Sequence, residues 1–432
     1  MRRVLMICYY FPPLGGIGSV RALKFAQYLP EFGWDPTVIA PWNGAYYRDP
    51  TLEFDEKKVI RTASLEISRA GKRMMGSGRD DTRPAEVGPV LEHVRGVVRR
   101  WIYRPDPQIG WYPFAVRSAR RVLQDGKFDA IFSSSFPITA HVVARRVHQE
   151  FGIPWVAEFR DLWTDLSRYD SQRRQRLDEA TERELLAAAT DVVTVSEGYA
   201  KLLLDRGARR VSVITNGFDP VDFRGTPRSS RSLATYVGTY YPDRQDLRPV
   251  LQALGELIQF GLLSRLGIRF VGEFPEALRE TLVQAGLSNS VECTGFVPHR
   301  EALGYIEDST LLLLAGPASG AFPGSKVSGN IASKVFEYLG SRRPILYIGE
   351  ADSDVERIIR GFPGVACVRP GDAKGTRKAI LSLIGQGPTV DRGPLDLYTR
   401  RSLTGHLAGV LDGASGRTVA SVGPPRRGAC SS

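Results

Sequence analysis

Short apolar, β-branched segments alternate with longer segments of helical periodicity, and this alternation constrains the fold more than any single motif. The first series starts with an apolar run at residues 4–10 and a helical pattern over residues 19–32. The alternation starts again with a strand-like segment at residues 233–237 and a helical one over residues 247–260. Strands that alternate with helices form parallel sheets covered by helices on both faces. The sequence therefore predicts an α/β fold of two doubly wound, Rossmann-like domains.

The length of 432 residues fits two or three domains better than one. Over residues 222–232 the composition shifts to Arg, Ser, Thr, Pro and Gly, which indicates a linker. The expected organisation is an N-terminal domain over residues 1–222, a C-terminal domain over residues 233–395, a helix over residues 396–412 that packs back on the N-terminal domain, and a disordered tail over residues 413–432.

The chain is basic, with a formal net charge of +11, so polyanions are its natural partners. No zinc finger, basic zipper or RNA-recognition signature is present, and we do not expect nucleic acid to be a partner. Residues 91–104 are rich in Arg, with Trp101 and Ile102 among them. They form either an amphipathic helix on an anionic membrane or a solvated basic helix face.

Neither a membrane span nor a metal site is expected. No apolar run reaches the length of about 18 residues that crosses a bilayer, and the short run after Arg2-Arg3 is interpreted as a first strand rather than a signal peptide. We therefore expect a cytoplasmic protein. Cysteines and histidines show no ligand spacing. Asp352-Ser353-Asp354 resembles a DxD metal motif, but a helix that starts near Val355 needs an N-cap there.

A glycine-rich loop, Pro12 to Ser19, joins the first strand to the first helix. Glycines such as Gly15 and Gly16 let a backbone approach a ligand closely, and a helix N-terminus attracts anions. The loop is not a dinucleotide fingerprint, because Arg21 stands where the third glycine belongs, and no Gly-Lys-Ser/Thr of a P-loop follows. A purely structural turn is the alternative.

Three polar residues, Glu158, Arg160 and Asp161, stand at the end of a buried strand. Open α/β sheets bind ligands beyond the carboxyl ends of their strands, so we interpret this group as a catalytic site. A local bridge between arginine and carboxylate is the alternative.

Two further motifs bear on binding. Asn216-Gly217 is a turn signal, placed where the turn could face a cleft. Residues 325–339 form a loop rich in Gly and Ser that runs into a helix, where free N–H groups and Lys334 could hold a diphosphate and Glu337 could accept bonds from sugar hydroxyls. The alternative is an ordinary amphipathic helix.

Taken in order, these features resemble the GT-B glycosyltransferases, and within them the retaining, nucleotide-sugar-dependent enzymes of family 4. The resemblance covers about residues 1–410. It rests on the early Gly-Gly loop, Val195-Ser196-Glu197, Asn216-Gly217-Phe218-Asp219, Gly295-Phe296-Val297-Pro298 and the segment Ser333 to Leu339 followed by Arg343-Pro344-Ile345.

The resemblance implies two domains facing a central cleft, with the donor against the C-terminal domain and the acceptor on the N-terminal one. The Gly15-Gly16 loop would close on the donor phosphate and sugar, and the backbone of Phe296-Val297 would face the nucleobase. Glu337 would bind the ribose. The remaining donor-site residues that the resemblance implies are Asn216, Gly238, Ser333 and Lys334.

This chain departs from the family pattern at three places. Gly329 occupies the position of the first glutamate of the Glu-x7-Glu motif. After Gly238 the customary Arg/Lys pair is not plain, and Arg244 and Arg248 are only candidates. Arg160 and Asp161 follow the strand after which the family often has a histidine.

The function expected from this resemblance is transfer of a hexose-like sugar, with retention, from a nucleotide-diphosphate sugar to a saccharide or lipid-linked acceptor. The setting would be synthesis of cell-surface polysaccharide or glycoconjugate, with the protein peripheral on the inner face of the membrane. Neither cofactor nor metal is expected, and Asp161 or Glu158 would orient the acceptor hydroxyl or the sugar. A nucleotide-sugar epimerase and a non-catalytic nucleotide-sugar-binding protein remain alternatives.

Overall fold

The computed structural model describes residues 1–42, 46–65, 104–165, 169, 171–223, 225, 232–242, 245–263, 266–316, 331–387 and 389–416. In this part of the chain, the strands form two sheets whose neighbours all pair in parallel. The predicted α/β class with two Rossmann-like domains is confirmed.

The first sheet has, among the described residues, seven strands in the order β3-β2-β1-β4-β5-β6-β7. They are β1 (Arg2–Cys8), β2 (Trp34–Pro41), β3 (Val59–Thr62), β4 (Ala130–Ser135), β5 (Trp155–Phe159), β6 (Asp191–Thr194) and β7 (Val211–Val213). Its helices are α1 (Ile17–Tyr28), α2 (Tyr112–Asp125), α3 (Thr139–Phe151), α4 (Gln172–Ala188) and α5 (Glu197–Asp205).

The second sheet has six strands within the described ranges, in the order β10-β9-β8-β11-β12-β13. They are β8 (Ser232–Val237), β9 (Leu266–Val271), β10 (Val291–Cys293), β11 (Leu311–Ala315), β12 (Ile345–Ile348) and β13 (Val365–Val368). The helices around it are α6 (Arg248–Gln259), α7 (Arg279–Gln284), α8 (His299–Glu307), α9 (Lys334–Gly340), α10 (Asp354–Ile359) and α11 (Ala373–Gly385).

Burial on both faces explains why the central strands are apolar throughout. In β1, Leu5 and Ile7 face one core of the first domain, while Val4 and Met6 face the other. Successive side chains of a strand point to opposite faces, so a strand covered on both sides needs apolar residues at every position. In both domains the carboxyl ends of such strands, with the loops that follow them, are the expected place for a ligand.

The last helix, α12 (Arg400–Ala414), returns to the first domain and packs on α1. Its Leu403, Leu407 and Leu411 join the core that contains Val4. The helix starts four residues later than the expected residue 396, because Asp396–Tyr398 form a separate 3-10 turn. The chain thus crosses between the domains near residue 399 as well as near the expected linker.

Several expectations lie outside the described residues. One concerns residues 66–103, a range that includes most of the Arg-rich segment. The others concern most of the linker, Arg244, Gly329 and residues 417–432.

Candidate active site

A cavity of about 410 Å³ lies between the two domains. The N-terminal domain contributes Gly16, Tyr47 and Asp49 to its walls. The C-terminal domain contributes, among others, the predicted donor-site residues Gly238, Phe296, Val297, Ser333, Lys334 and Glu337. Residues more than 300 positions apart in the chain therefore meet at one space large enough for a small ligand.

Lys334 is the cation at the start of α9 on the C-terminal wall. Its Nζ atom donates to the carbonyl oxygen of Val237 at 2.9 Å and lies 3.9 Å from the centroid of the Tyr236 ring. Burial lowers the pKa of Lys334 to about 7, while the nearby Glu337 carboxylate acts in the opposite direction. An anion bound in the cavity would favour the protonated amine.

Glu337, one turn further along α9, pairs with His299 at the start of α8. The two side chains are 2.8 Å apart, between Nε2 of His299 and Oε1 of Glu337. Burial alone would raise the pKa of Glu337, but the charge and hydrogen bond of His299 outweigh it and the net pKa is lowered. Burial would likewise lower the pKa of His299, yet Glu337 raises it overall. Both shifts favour the charged form of the pair.

The segment from Tyr47 to Asp49 connects the glycine loop to the C-terminal domain. The N–H of Gly15 donates to the carbonyl oxygen of Tyr47 at 3.0 Å, and the Tyr47 ring packs edge-to-face on Phe296 with centroids 4.6 Å apart. The carboxylate of Asp49 accepts from the backbone N–H of His299 at 3.3 Å. These contacts join both walls of the cavity.

Glycine is required at the two loop positions for different structural reasons. A Cβ at Gly15 would lie 2.3 Å from the Tyr47 ring, so a side chain would displace that ring. Gly16 has φ 93°, which side chains disfavour, and it precedes the first residue of α1. Only Gly16 lines the cavity; Gly15 supports it through Tyr47.

Glu158 does not reach the cavity. Its side chain is 0% exposed, Oε1 accepts from Nε of Arg21 at 2.8 Å, and Oε2 accepts from Oγ of Ser134 at 2.6 Å. Arg21 also donates to the carbonyl oxygen of Ile214 at 2.8 Å. Both carboxylate oxygens are occupied, which favours the alternative of an arginine–carboxylate bridge, and a role of Glu158 in orienting a substrate stays a prediction. The arginine of this bridge comes from α1, where sequence could not show it.

Arg160 and Asp161 lie nearer to the cleft. Nε of Arg160 donates to the carbonyl oxygen of Ser135 at 2.6 Å, and a Cβ at Gly18 would lie 2.7 Å from its Nη1 atom. The guanidinium therefore flanks the first turn of α1. Asp161 is half-buried, and burial raises its pKa against the opposing charge of Arg160.

Asn216 lies where the N-terminal domain contacts the C-terminal domain, and it does not line the cavity. Its amide donates to the carbonyl oxygen of Ile331 and accepts from Arg21, both at the long distance of 3.4 Å. Asp352-Ser353-Asp354 caps α10 as expected: Oγ of Ser353 accepts from the N–H of Glu356.

Sequence reasoning missed Tyr47, Asp49 and His299. Tyr47 and Asp49 fall in a stretch without periodic pattern, and His299 shares no ligand spacing with the other histidines. The available signal for His299 was its position directly after the Gly295-Phe296-Val297-Pro298 motif.

Among the helices of the described residues, none combines the length and apolar character that crossing a bilayer requires. In the same residues, His, Cys, Asp and Glu side chains do not gather in groups of three that could hold a metal ion.

Residues 15–217 match the family model of the glycosyl transferase 4-like domain. Just under half of the chain is therefore similar to this domain. This domain holds the glycine loop, Arg160 and Asp161, and its match ends just after Asn216. The curated protein sequences contain no significant match to the chain.

Solved structures similar to the whole chain extend the comparison to the second domain. Sucrose-phosphate synthase from Thermosynechococcus elongatus aligns with a TM-score of 0.55 and 14% identity over 96% of each chain. The lipopolysaccharide outer core galactosyltransferase WaaB, in its apo form, aligns with a TM-score of 0.54 and 12% identity, over 95% of this chain and 99% of that one. UDP-GlcNAc 2-epimerase from Methanocaldococcus jannaschii aligns with a TM-score of 0.51 and 11% identity, over 95% and 99%.

At these identities the solved structures show the shared fold. Together with the match to the glycosyl transferase 4-like domain, they confirm the resemblance to GT-B glycosyltransferases of family 4. The domain match supports glycosyl transfer as the activity.

Proposed function

We propose that the protein is a retaining, hexosyltransferase-like enzyme that moves a sugar from a nucleotide-diphosphate sugar to a saccharide or lipid-linked acceptor. The observation that carries the proposal is the convergence of Gly16, from the glycosyl transferase 4-like domain, and Lys334, from the second domain, on one cavity. The setting we propose is cell-surface polysaccharide or glycoconjugate synthesis in the cytoplasm, at the inner face of the membrane.

Transfer requires stabilising the negative charge that develops on the leaving diphosphate. We assign this task to Lys334 and to the backbone around Gly16, where the first N–H groups of α1 are free of helical partners. The Lys334 charge contributes more to this stabilisation than the N-terminus of α9, since that helix has only seven residues. A metal ion is not part of this proposal, because the cation and amides can supply the stabilisation.

The donor would extend from Lys334 along the C-terminal wall. Phe296 is 67% exposed and lines the cavity, so its face and the adjoining backbone of Val297 can contact the nucleobase. Glu337 can accept hydrogen bonds from the ribose while His299 keeps it ionised. Closure at Tyr47 and Phe296 would exclude water and favour transfer over hydrolysis.

A thermal-shift panel tests the donor class, because a ligand that binds the native state raises apparent stability. Nucleoside diphosphates of each base and their common sugars would be compared with NAD. We expect one base series to raise the melting temperature. A shift with NAD alone would favour an oxidoreductase and contradict the proposal.

Epimerisation is the second candidate, since a UDP-GlcNAc 2-epimerase shares the fold. Incubation of the binding nucleotide sugar without acceptor separates the two activities. An epimerase changes the sugar under these conditions, whereas a transferase leaves it intact or hydrolyses it slowly. A protein that binds the donor but turns nothing over across an acceptor panel would instead be a non-catalytic binding protein.

A further inference from the structure

Three buried side-chain oxygens beside the cleft have no hydrogen-bond partner within the part of the chain that the structure describes. They are Oη of Tyr199, Oδ2 of Asp165 and Oδ2 of Asp354. Tyr199, in the first turn of α5, is only 1% exposed. An unsatisfied buried hydroxyl or carboxylate oxygen costs free energy, so three together call for an explanation.

These oxygens belong to one neighbourhood. Strands β5 and β6 are parallel neighbours, so Asp161 and Asp165, which follow β5, lie at the same edge of the sheet as Tyr199, which follows β6. Burial raises the pKa of Tyr199, and the charges of Asp161, Asp165 and Asp354 raise it further. Tyr199, Asp161 and Asp165 belong to the N-terminal domain, whereas Asp354 begins α10 of the C-terminal domain. The phenol therefore lies among carboxylates from both sides of the cleft.

The group adjoins the proposed donor cavity. Val355, the residue after Asp354, lines that cavity. Arg160, the residue before Asp161, flanks Gly18 two positions beyond the cavity residue Gly16. A ligand held by the group would thus lie next to the donor, where the second substrate of a transferase belongs.

The chemistry of the group selects hydroxyls. Each carboxylate already has one arginine as a partner. The charge of Arg160 acts on Asp161. Oδ1 of Asp165 accepts from Arg206 at 2.6 Å, and Oδ1 of Asp354 lies 3.7 Å from Arg357. The remaining oxygens offer lone pairs with little excess charge. They would accept hydrogen bonds from hydroxyls, while the Tyr199 phenol can donate or accept.

Two other ligand classes fit less well. The carboxylates of the described residues do not come together closely enough to hold a metal ion. A phosphate or carboxylate ligand would face the like charges of three carboxylates.

We propose that Tyr199, Asp161, Asp165 and Asp354 form the acceptor subsite, and that it binds the hydroxyl groups of an uncharged sugar. This inference rests on the proposed transferase function and deepens it by naming the acceptor chemistry. For a lipid-linked acceptor, the sugar end occupies the subsite and any phosphate stays outside it.

The test is a saturation-transfer NMR titration of the full chain with neutral methyl glycosides, namely the glucoside, galactoside and mannoside, and with glucose 6-phosphate. Each is titrated with and without a saturating nucleoside diphosphate. We expect at least one methyl glycoside to bind more tightly than glucose 6-phosphate. Tyr199→Phe and Asp354→Asn should each weaken that binding about tenfold or more, since the first removes a buried hydroxyl and the second replaces a charged acceptor by a neutral amide.

Two controls make the result specific. Tyr112→Phe removes a phenol elsewhere in the N-terminal domain, and Asp205→Asn removes an exposed carboxylate on α5; both should leave glycoside binding unchanged. The melting temperatures of all four variants report on folding. Nucleoside diphosphate affinity, measured separately, should be unchanged in all four.

The inference is overturned if no neutral glycoside binds, if glucose 6-phosphate binds more tightly, or if Tyr199→Phe and Asp354→Asn both retain full glycoside affinity. Failure of every nucleoside diphosphate to bind would instead refute the donor assignment. The two failures are read from separate titrations and cannot be confused.

Discussion

His299 bonds to both domains at once: its Nε2 atom lies 2.8 Å from Oε1 of Glu337, and its backbone N–H donates to Asp49 across the cleft at 3.3 Å. The side-chain bond holds the wall of the donor cavity, and the backbone bond fixes that wall to the glycine-loop domain. Substitution of the side chain therefore separates the two roles.

His299→Asn keeps the backbone contact but removes the cation from Glu337. Other charges that act on His299 are Asp222, from the turn after β7, and Arg400, from α12. Because the folded-state pKa of His299 is raised, the contribution of the pair to stability is complete below the unfolded pKa of about 6.5 and is lost as pH rises through the folded value. We expect the variant to lose about 1–3 kcal/mol of unfolding free energy at pH 6 and clearly less at pH 9.

Urea denaturation at the two pH values measures this difference. His406→Asn, on α12, is the matched control and should show no such pH dependence. A stability loss in His299→Asn of equal size at pH 6 and pH 9 would show that the pair is not charged in the native protein.

The lowered pKa of Lys334, about 7, predicts how donor affinity depends on pH. Below this value the amine carries the charge that the diphosphate needs, and above it a proton must be taken up on binding. We expect the KM for the nucleotide sugar to increase as pH rises from 6 to 9. In Lys334→Met the donor KM should be high at every pH, and an unchanged pH profile in that variant would assign the titration to another group.

Gly15→Ala tests the link between the glycine loop and the donor cavity. The new methyl group would lie 2.3 Å from the Tyr47 ring, so the ring must move and its contact with Phe296 is lost. We expect donor KM to rise several-fold, and Tyr47→Ala by itself to raise it comparably, because both variants lose the contact between the Tyr47 ring and Phe296. Gly409→Ala, in open space on α12, is the control; equal kinetics in the two glycine variants would remove the loop from the site.

Substitutions of Glu158 and its partner Arg21 test whether Glu158 has a structural or a catalytic role. Arg21→Met leaves the Glu158 carboxylate buried without its partner, which costs about 3–5 kcal/mol of unfolding free energy. Glu158→Gln should likewise lower stability, whereas Glu276→Gln, at an exposed ion pair, should change it little. If Glu158→Gln kept full stability but abolished turnover, Glu158 would be a catalytic residue after all.

Periodicity predicted the parallel sheets because burial on both faces leaves a strong local signal, as in β1 and β11. It missed β3, which is a four-residue edge strand with few buried positions. Helix α1 ended at Tyr28 rather than residue 32, since the following residues, with Pro30 among them, form a 3-10 turn.

The residues of the site also differ in whether a local sequence signal marks them. The places of Gly16 and Lys334 could be predicted because each stands where a loop meets a periodic helix. The pairing of His299 with Glu337, and the neighbourhood of Tyr199 and Asp354, could not be predicted, since both depend on how strands and domains come together over long sequence separations. The pairing of Glu158 with Arg21, 137 positions away, could not be predicted for the same reason.

The most direct test of the account is calorimetric titration of the nucleoside diphosphate selected by the thermal-shift panel into the wild-type protein and Lys334→Met at pH 6.5. Lys201→Met, an exposed lysine on α5, is the control. The account predicts one site per chain, with affinity reduced about tenfold or more in Lys334→Met and unchanged in Lys201→Met. Equal affinity in all three proteins would contradict it, because the diphosphate would then lie away from the cavity between Gly16 and Lys334.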